Sequence, residues 1–600
     1  MSTYIDYSKN DNLTSFGKTT LSERYLLKGE DFQDLFWRVA SYYADDQEHA
    51  KRMYDYISNL WFMPATPVLS NGGTTRGLPI SCFLNEVQDS IESIKDLYSE
   101  NIALASNGGG IGSYWGGVRS IGEPIANKGT SSGIMPFLKV MDSMTIAISQ
   151  GSVRRGSAAI YLNDNHPEIE EFVDVRRPIG DSNRRCLNLH HGVAISDEFM
   201  EAVDLGKNWQ LKSPSSGKIL SEVSARELWI KMLTARVETG EPYLLFIDTV
   251  NKHLPAHQTK LGLKVKTSNL CSEITLPTGI DHLGAERTAV CCLSSLNLEY
   301  YKDWEGNKDI IPDVMRFLDN VLEDFITKAP SSMQRAKYSA MRERSVGLGV
   351  MGFHSFLQSQ KVAFEGVMAK SWNKRIFSHI KEECDKASRD IAKQRGACPD
   401  AKDAGFEERF SNKIAIAPTA SISNICGESS PGIEPYAANV FTQKTLSGSF
   451  VVKNKHLKKL LAEKSKDNSE VWSSIAVSDG SVQHLDFLTP EEKAVFKTAF
   501  ELNQAWIVEH AADRTPFVCQ AQSTNLFFAG NVSKKTLHTI HFDAWKKGVK
   551  SLYYCRSRSV QRADKVSNPV LTGAIKIDTA KNEPPAPATS SLYDECLACQ

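Results

Sequence analysis

Helical runs that give way to short, wholly apolar stretches recur along this sequence, and no other feature limits its fold as strongly. Ser224-Ala-Arg-Glu227 has the Ser-x-x-Glu spacing of a capping box, a helical run follows to Glu238, and Gly240 stands where a helix would stop. Tyr243-Leu-Leu-Phe-Ile247 then reads as a buried strand, apolar throughout and too short for a helix. Thr489-Pro490-Glu-Glu492 opens a second helix, expected to reach about His510, before Phe517-Val-Cys-Gln-Ala521 as a strand. A third helix near Lys534–Lys547 ends at Gly548 and leads into Val549–Cys555, again strand-like. Residues 30–60 are also expected to be helical, from the spacing of Phe32, Leu35, Phe36 and Val39. Helices alternating with buried strands predict an α/β fold with a largely parallel sheet. There is no internal repeat.

At 600 residues the chain has room for two to four domains, or for one long α/β barrel. Its 41% apolar and 24% charged residues are those of a soluble globular enzyme. A net charge of −1 gives no general pull toward nucleic acid or an anionic membrane, so neither is expected as a partner and an anionic ligand needs a local site. Even the apolar region at 133–149 is interrupted by Lys139 and Asp142, and residues 1–14 are polar. The expected location is cytoplasmic. Twelve cysteines are too sparse for a secreted disulfide scaffold, so any disulfide is expected to be transient and catalytic.

The tail departs in composition. Lys581-Asn-Glu-Pro584-Pro585-Ala-Pro587 and the Ala/Ser/Thr stretch after it form a linker with little to bury, ending in Cys596-Leu-Ala-Cys599. Such a pair is half a zinc site or a dithiol, and no second Cys or Cys/His cluster completes a zinc site, so no metal is expected in this chain. About 25 residues of flexible chain reach roughly 25–30 Å, enough to carry a dithiol into a cavity.

The segment Ser268-Asn269-Leu270-Cys271-Ser272-Glu273 carries the chemistry most directly. In an extended chain Asn269, Cys271 and Glu273 face one way, which aligns an amide, a sulfur and a carboxylate. That row suits orienting a substrate, attacking it and moving its proton. It is also the pattern of a half-buried strand with a core cysteine and a solvated Glu. Ser81-Cys82 and Val290-Cys291-Cys292-Leu293-Ser294 place further cysteines beside small residues; sequence cannot say whether they meet. Two stretches could cradle phosphate: Pro418-Thr419-Ala420-Ser421-Ile422 after the strand-like 414–416, and Gly108-Gly109-Gly110. A plain turn accounts better for the glycine run. Tyr553-Tyr554 lies in an expected strand, where paired aromatics are ordinarily packing.

Taken in order, these segments resemble the large subunit of class I ribonucleotide reductase, from about Ala65-Thr66-Pro67 through Gly432-Ile-Glu434-Pro435 to Cys596 and Cys599. The resemblance implies a ten-stranded α/β barrel with a central finger loop over residues 65–565, a mostly helical region at 1–64 and a flexible redox tail at 566–600. It implies that Cys271 becomes a thiyl radical that abstracts the substrate 3′-hydrogen, with Glu273 taking the 3′-hydroxyl proton and Asn269 holding the ribose. Cys82 and Cys291 would donate two electrons and close a disulfide, which Cys596 and Cys599 would reduce before thioredoxin or glutaredoxin resets them. Tyr553 and Tyr554 would relay the radical from a small subunit carrying a dimetal (iron and/or manganese) cofactor. Thr66, Ser81, Gly109, Gly110 and Thr419 to Ile422 would bind the nucleotide substrate. Asp89, Ser90, Ile91, Arg119 and Arg154 would bind deoxynucleoside triphosphate or ATP effectors, and a homodimer of the chain is expected. Two departures stand out: the start lacks the Lys-Arg-Asp-Gly-like opening of the family's ATP cone, and Cys292 beside Cys291 leaves the second redox cysteine open. A cobalamin-dependent reductase would share the barrel and cysteines but needs no Tyr-Tyr relay. A nucleotide-binding paralogue without catalysis would not need all five cysteines.

Overall fold

The computed structural model describes residues 4–558, apart from 127, 151–153 and 446–447. Helices occupy much of the first sixty residues, as their spacing predicts. Asp31 caps Phe32–Tyr42 in a reciprocal box with Asp34, and Asp46 caps Gln47–Ser58 through the His49 N–H. Their Leu35, Phe36, Val39, Met53 and Ile57 are fully buried.

The main sheet then holds nine strands: β1 (Phe62–Pro64), β2 (Cys82–Glu86), β3 (Gly110–Tyr114), β4 (Ser157–Asn163), β5 (His190–Ile195), β6 (Tyr243–Phe246), β7 (Ala289–Asn297), β8 (Val346–Met351) and β9 (Ser551–Leu552). Its order is β1-β7-β2-β3-β4-β5-β6-β9, with β8 also against β7. From β2 through β6 every neighbouring pair is parallel, as is β7 with β8. The pairs β1–β7, β7–β2 and β6–β9 are antiparallel. Helices Ile91–Ser106 and Met135–Ala147 precede β3 and β4, and Ala225–Thr239 precedes β6. Helix-covered parallel strands are buried on both faces, which is why the β6 segment reads as an unbroken apolar run. Two parallel bridges, Leu348 to Ile414 and Ile416 to Gln522, continue the pairing beyond β8. The expected α/β barrel class is what is found; the described strands number nine in this sheet rather than ten.

Three local expectations change. The helix opened by Thr489 stops at Val495 and a new one, Gln504–Arg514, begins after Asn503. Between them the chain bonds elsewhere: Asn439 Nδ2 donates to the Phe496 carbonyl (2.8 Å) and Ala499 N–H to that of Tyr436 (2.8 Å). Residues 517–521 are not a strand. A 3₁₀ turn, Thr515–Phe517, leads into an irregular stretch whose Gln520 and Ala521 N–H groups reach the carbonyls of Ile414 and Glu273. Finally, 549–555 is split: β9 ends at Leu552, and Cys555–Ser557 pairs with Leu526–Phe528.

Residues 263–278 contain no helix or strand, yet 267–279 are buried throughout. This finger runs against β3 so closely that a Cβ on Gly112 would overlap the Ser268 carbonyl and crowd the Asn269 Cα. Gly112→Ala is therefore expected to destabilise the protein by at least about 1–3 kcal/mol, because neither backbone can yield without displacing the loop. Thermal unfolding measures it, and an unchanged Tm would mean that the finger does not press on β3.

Candidate active site

The finger tip is a turn, which corrects the expected extended row. Leu270 and Cys271 lie at the bend and Ser272 has φ 64°, a left-handed conformation that costs a serine roughly 1–2 kcal/mol. Three hydroxyls hold it. Ser551 Oγ donates to the Ser272 carbonyl (2.8 Å), Tyr161 Oη to that of Asn269 (2.8 Å) and Ser523 Oγ to that of Cys271 (2.6 Å). The Asn269 side chain knits the turn by accepting the N–H groups of Glu273 and Ile274, each at 3.1 Å. Its Nδ2 donates to Glu273 Oε1 at 2.9 Å. Asn269 and Glu273 thus meet because the chain doubles back, not because side chains alternate along a strand. Burial pushes the Glu273 carboxyl up to about 7, against the opposing hydrogen bonds from its own backbone, Asn269 and Ser523.

Sheet register brings the other two cysteines together. Cys82 of β2 lies directly opposite Cys291 of β7. Residues opposed in an antiparallel pair have Cα atoms about 4.5–5.5 Å apart, inside the roughly 4.4–6.8 Å span of a disulfide. Cys292, one residue on, alternates to the other face and pairs instead with Val346 of β8. Gln520 ties Cys291 to the finger: its Nε2 donates to Cys291 Sγ at 3.4 Å while its Oε1 accepts the Thr275 N–H at 3.4 Å. Burial, with the neighbouring Cys82, Cys292 and Glu273, raises the Cys291 thiol well above its ordinary range, so it rests protonated. All the described cysteines are free thiols.

Tyr553 Oη reaches Cys271 Sγ at 3.5 Å. Its ring lies 4.2 Å from that of Tyr554, centroid to centroid, because the backbone leaves extended pairing between β9 and Cys555. This is the departure from regular strand geometry that two adjacent phenols in contact require. A third ring, Tyr243 of β6, sits 4.8 Å from Tyr553 and 5.2 Å from Tyr554.

The remaining candidates are spread more widely. Gly110 is in register with Cys82, and its N–H bonds the Ser81 carbonyl at 2.6 Å. Gly109 is packed where a Cβ would strike the Phe83 ring. Thr66 starts helix Thr66–Asn71, its Oγ1 3.0 Å from Tyr25 Oη. Thr419 has φ 55° and accepts the Gly432 N–H at 2.7 Å, while Ser421 precedes the single turn Ile422–Ile425, with Ala420 half-buried beside it. Asp89 and Arg119 form an ion pair at 2.9 Å; Ser90 caps helix Ile91–Ser106, leaving Ile91 exposed at its start. The backbone of Arg154 pairs in a short hairpin, Ser149–Gln150 with Arg154–Arg155, and the side chain lies outside the described residues, as do Cys596 and Cys599. Sequence reasoning missed Gln520, Ser523, Tyr161 and Tyr243. The first two lie in or just beyond a segment read as a strand, Tyr243 lies in the apolar run read as a buried strand, and Tyr161 stands in no motif that drew attention to it.

Among the described residues no group of His, Cys, Asp and Glu is arranged to hold a metal, and no helix is long and apolar enough to cross a membrane.

Comparison with known proteins identifies the family. The family model described as "Ribonucleotide reductase, barrel domain" matches residues 80–408 and 401–555, and "Ribonucleotide reductase, all-alpha domain" matches 11–77. A ribonucleoside-diphosphate reductase large subunit of Invertebrate iridescent virus 3 is 41% identical over 96% of this chain and 98% of its own length. That of Caenorhabditis elegans is 31% identical over 99% of this chain and 82% of its own. The solved Actinobacillus ureae class Id ribonucleotide reductase alpha subunit superposes with a TM-score of 0.81 at 34% identity, covering 92% of this chain and 98% of that one. With both domain models, full-length relatives and a solved alpha subunit all matching, the chain belongs to the ribonucleotide reductase large-subunit family.

Proposed function

We propose that the chain reduces ribonucleoside diphosphates to 2′-deoxyribonucleoside diphosphates, with the Cys271 sulfur as the radical that starts the reaction. The thiyl takes the substrate 3′-hydrogen, Glu273 takes the 3′-hydroxyl proton, and the 2′-hydroxyl leaves as water with a proton from the cysteine pair. Cys82 and Cys291 supply two electrons and two protons in all and end as a disulfide; Cys271 then returns the hydrogen to C3′. The observation carrying this reading is the convergence on one finger tip of Cys271, the Asn269–Glu273 pair and the phenol of Tyr553, with Cys291 joined to it by Gln520.

Glu273 must be ionised to accept a proton, and its carboxyl titrates near 7. Single-turnover deoxynucleotide formation should therefore rise about five-fold between pH 6 and 7 and level off above 8, as the ionised fraction grows. Glu273→Gln, which keeps the hydrogen bond to Asn269, should cost about 10²–10⁴ in rate. A flat profile over that range, or a Gln variant at full rate, removes Glu273 from the proton transfer.

Cys291 rather than Cys292 is the second redox cysteine in this reading, supported by its register opposite Cys82. Cys291→Ser should prevent disulfide formation in the spent enzyme, counted by thiol titration after one turnover, whereas Cys292→Ser should still form it. The reverse result would exchange the two assignments.

The same reading gives the substrate to Thr66, Ser81, the 109–110 glycines and residues 419–422, and an effector to the Asp89–Arg119 corner with Arg154. Helices Ile91–Ser106 and Met135–Ala147 pack together and expose Ile102, Val140 and Ile146, an apolar surface that supports a homodimer. The partners are a small subunit that supplies the radical from its dimetal centre, and thioredoxin or glutaredoxin acting through Cys596 and Cys599. The compartment is the reducing cytoplasm, where such thiols persist.

A further inference from the structure

Tyr554, the outer member of the tyrosine pair, is embedded in a proton-sharing cluster that the roles assigned so far do not use. Its hydroxyl lies 3.4 Å from His190 Nδ1, and the Tyr243 hydroxyl lies 3.1 Å from the same nitrogen. The imidazole stacks on Tyr243 at 6.1 Å and meets Tyr554 edge-on at 6.2 Å between centroids. That nitrogen is also only 2.6 Å from Glu241 Oε1. Glu241 is fixed in turn, its Oε2 accepting the His191 backbone N–H at 2.9 Å, with Arg176 Nε 3.7 Å from Oε1. Burial disfavours its charge, but Arg176 and the two histidines overcome this and hold the carboxyl well below the usual range. A buried carboxylate, an imidazole and two phenols therefore share one hydrogen-bonded set.

Such a set answers a chemical requirement of the relay. A phenol that loses an electron becomes a strong acid, and its oxidation is easy only when a positioned base takes the proton in the same step. We propose that the His190–Glu241 pair is that base, taking the Tyr554 phenol proton on oxidation and returning it on re-reduction. This rests on the relay reading of Tyr553 and Tyr554 given above. In the forward step one electron leaves Tyr554 for the metal-based oxidant of the small subunit, the O–H bond breaks, and the pair gains one proton. The neutral imidazole with its proton on Nε2 offers the Nδ1 lone pair to the phenol, and the imidazolium that forms is stabilised by the Glu241 carboxylate 2.6 Å away. Tyr554 then takes a hydrogen atom, electron and proton together, from Tyr553, whose ring lies against it, and the pair keeps its proton until the radical returns and Tyr554 regains an electron from the small subunit. The pair is neither oxidised nor reduced over the cycle.

The test uses the full chain with its small subunit, a ribonucleoside diphosphate and a deoxynucleoside triphosphate, with 3-aminotyrosine at position 554 as an electron paramagnetic resonance probe. His190→Phe should slow both appearance of the 554 radical and turnover of the otherwise native chain by about 10²–10⁴, with substrate KM unchanged. His190→Ala should lose a similar factor, and added imidazole should recover at least about ten-fold, because a free base can occupy the vacated space. Glu241→Gln, which keeps a hydrogen-bonding group but not the charge, should also slow the signal. Equal radical formation in His190→Phe, or a His190→Ala loss that imidazole leaves in place, would overturn the proposal while the relay stands. Absence of any 554 radical with His190 intact would instead defeat the relay reading, and the proposal with it.

Discussion

Replacing Cys271 by serine is expected to abolish deoxynucleotide formation, a loss of at least about 10⁶-fold, the lower range of what enzymes supply over the uncatalysed reaction. The sulfur has no substitute in the proposed mechanism. A hydroxyl O–H is far stronger than a thiol S–H, so the residue that must first lose and finally regain a hydrogen atom cannot be oxidised by a tyrosine relay. The structural cost should be small. Cys271 is fully buried, but serine is smaller, and the turn around it is held by Asn269, Ser523, Ser551 and Tyr161. Nucleotide and effector binding, measured by equilibrium dialysis, should therefore survive. Turnover retained in Cys271→Ser would refute the thiyl assignment, whereas loss of binding together with turnover would point to a misfolded finger.

Tyr553→Phe and Tyr554→Phe should each reduce turnover with the loaded small subunit by at least about 10⁴-fold, about 5.4 kcal/mol at 1.36 kcal/mol per decade. Each keeps its ring and removes only the O–H. For Tyr553 the structural loss includes its weak hydrogen bond to Cys271 Sγ, itself worth about 1 kcal/mol or less in stability. Substrate affinity should be unchanged, which separates a relay role from packing. The same proteins discriminate the rival chemistry. A cobalamin-dependent reductase would work with adenosylcobalamin alone and tolerate both Phe variants, whereas the proposed enzyme should work only with an iron- or manganese-loaded small subunit. A Phe variant at full speed would leave the two rings as core aromatics.

Much of the scaffold could be read from local signals. Ser224 caps its helix, Gly240 ends it at φ 86°, and Tyr243 to Phe246 form the buried strand that follows. Gly548 likewise closes Lys534–Lys546. These features are encoded within a few residues, where capping, periodicity and backbone freedom act directly. The misreadings have a common cause. At 496–503 and 517–521 the backbone takes its hydrogen bonds from distant segments, and intrinsic preference is overridden wherever such partners are available.

The site divides the same way. Sequence by itself named Asn269, Cys271, Glu273, Cys82, Cys291 and the two tyrosines only through the family resemblance that their motifs carry in order; the residue pattern alone fitted a half-buried strand, separate cysteines and packed aromatics. It gave no reason to prefer Cys291 over Cys292 by geometry, and it described the finger tip as an extended row. Only the tertiary structure set Cys82 opposite Cys291, turned the finger at Ser272 and brought Gln520, Tyr243, His190 and Glu241 to their places. The physical reason is that these contacts join segments far apart in the chain. Their closeness depends on sheet register and burial, which no short stretch of residues encodes.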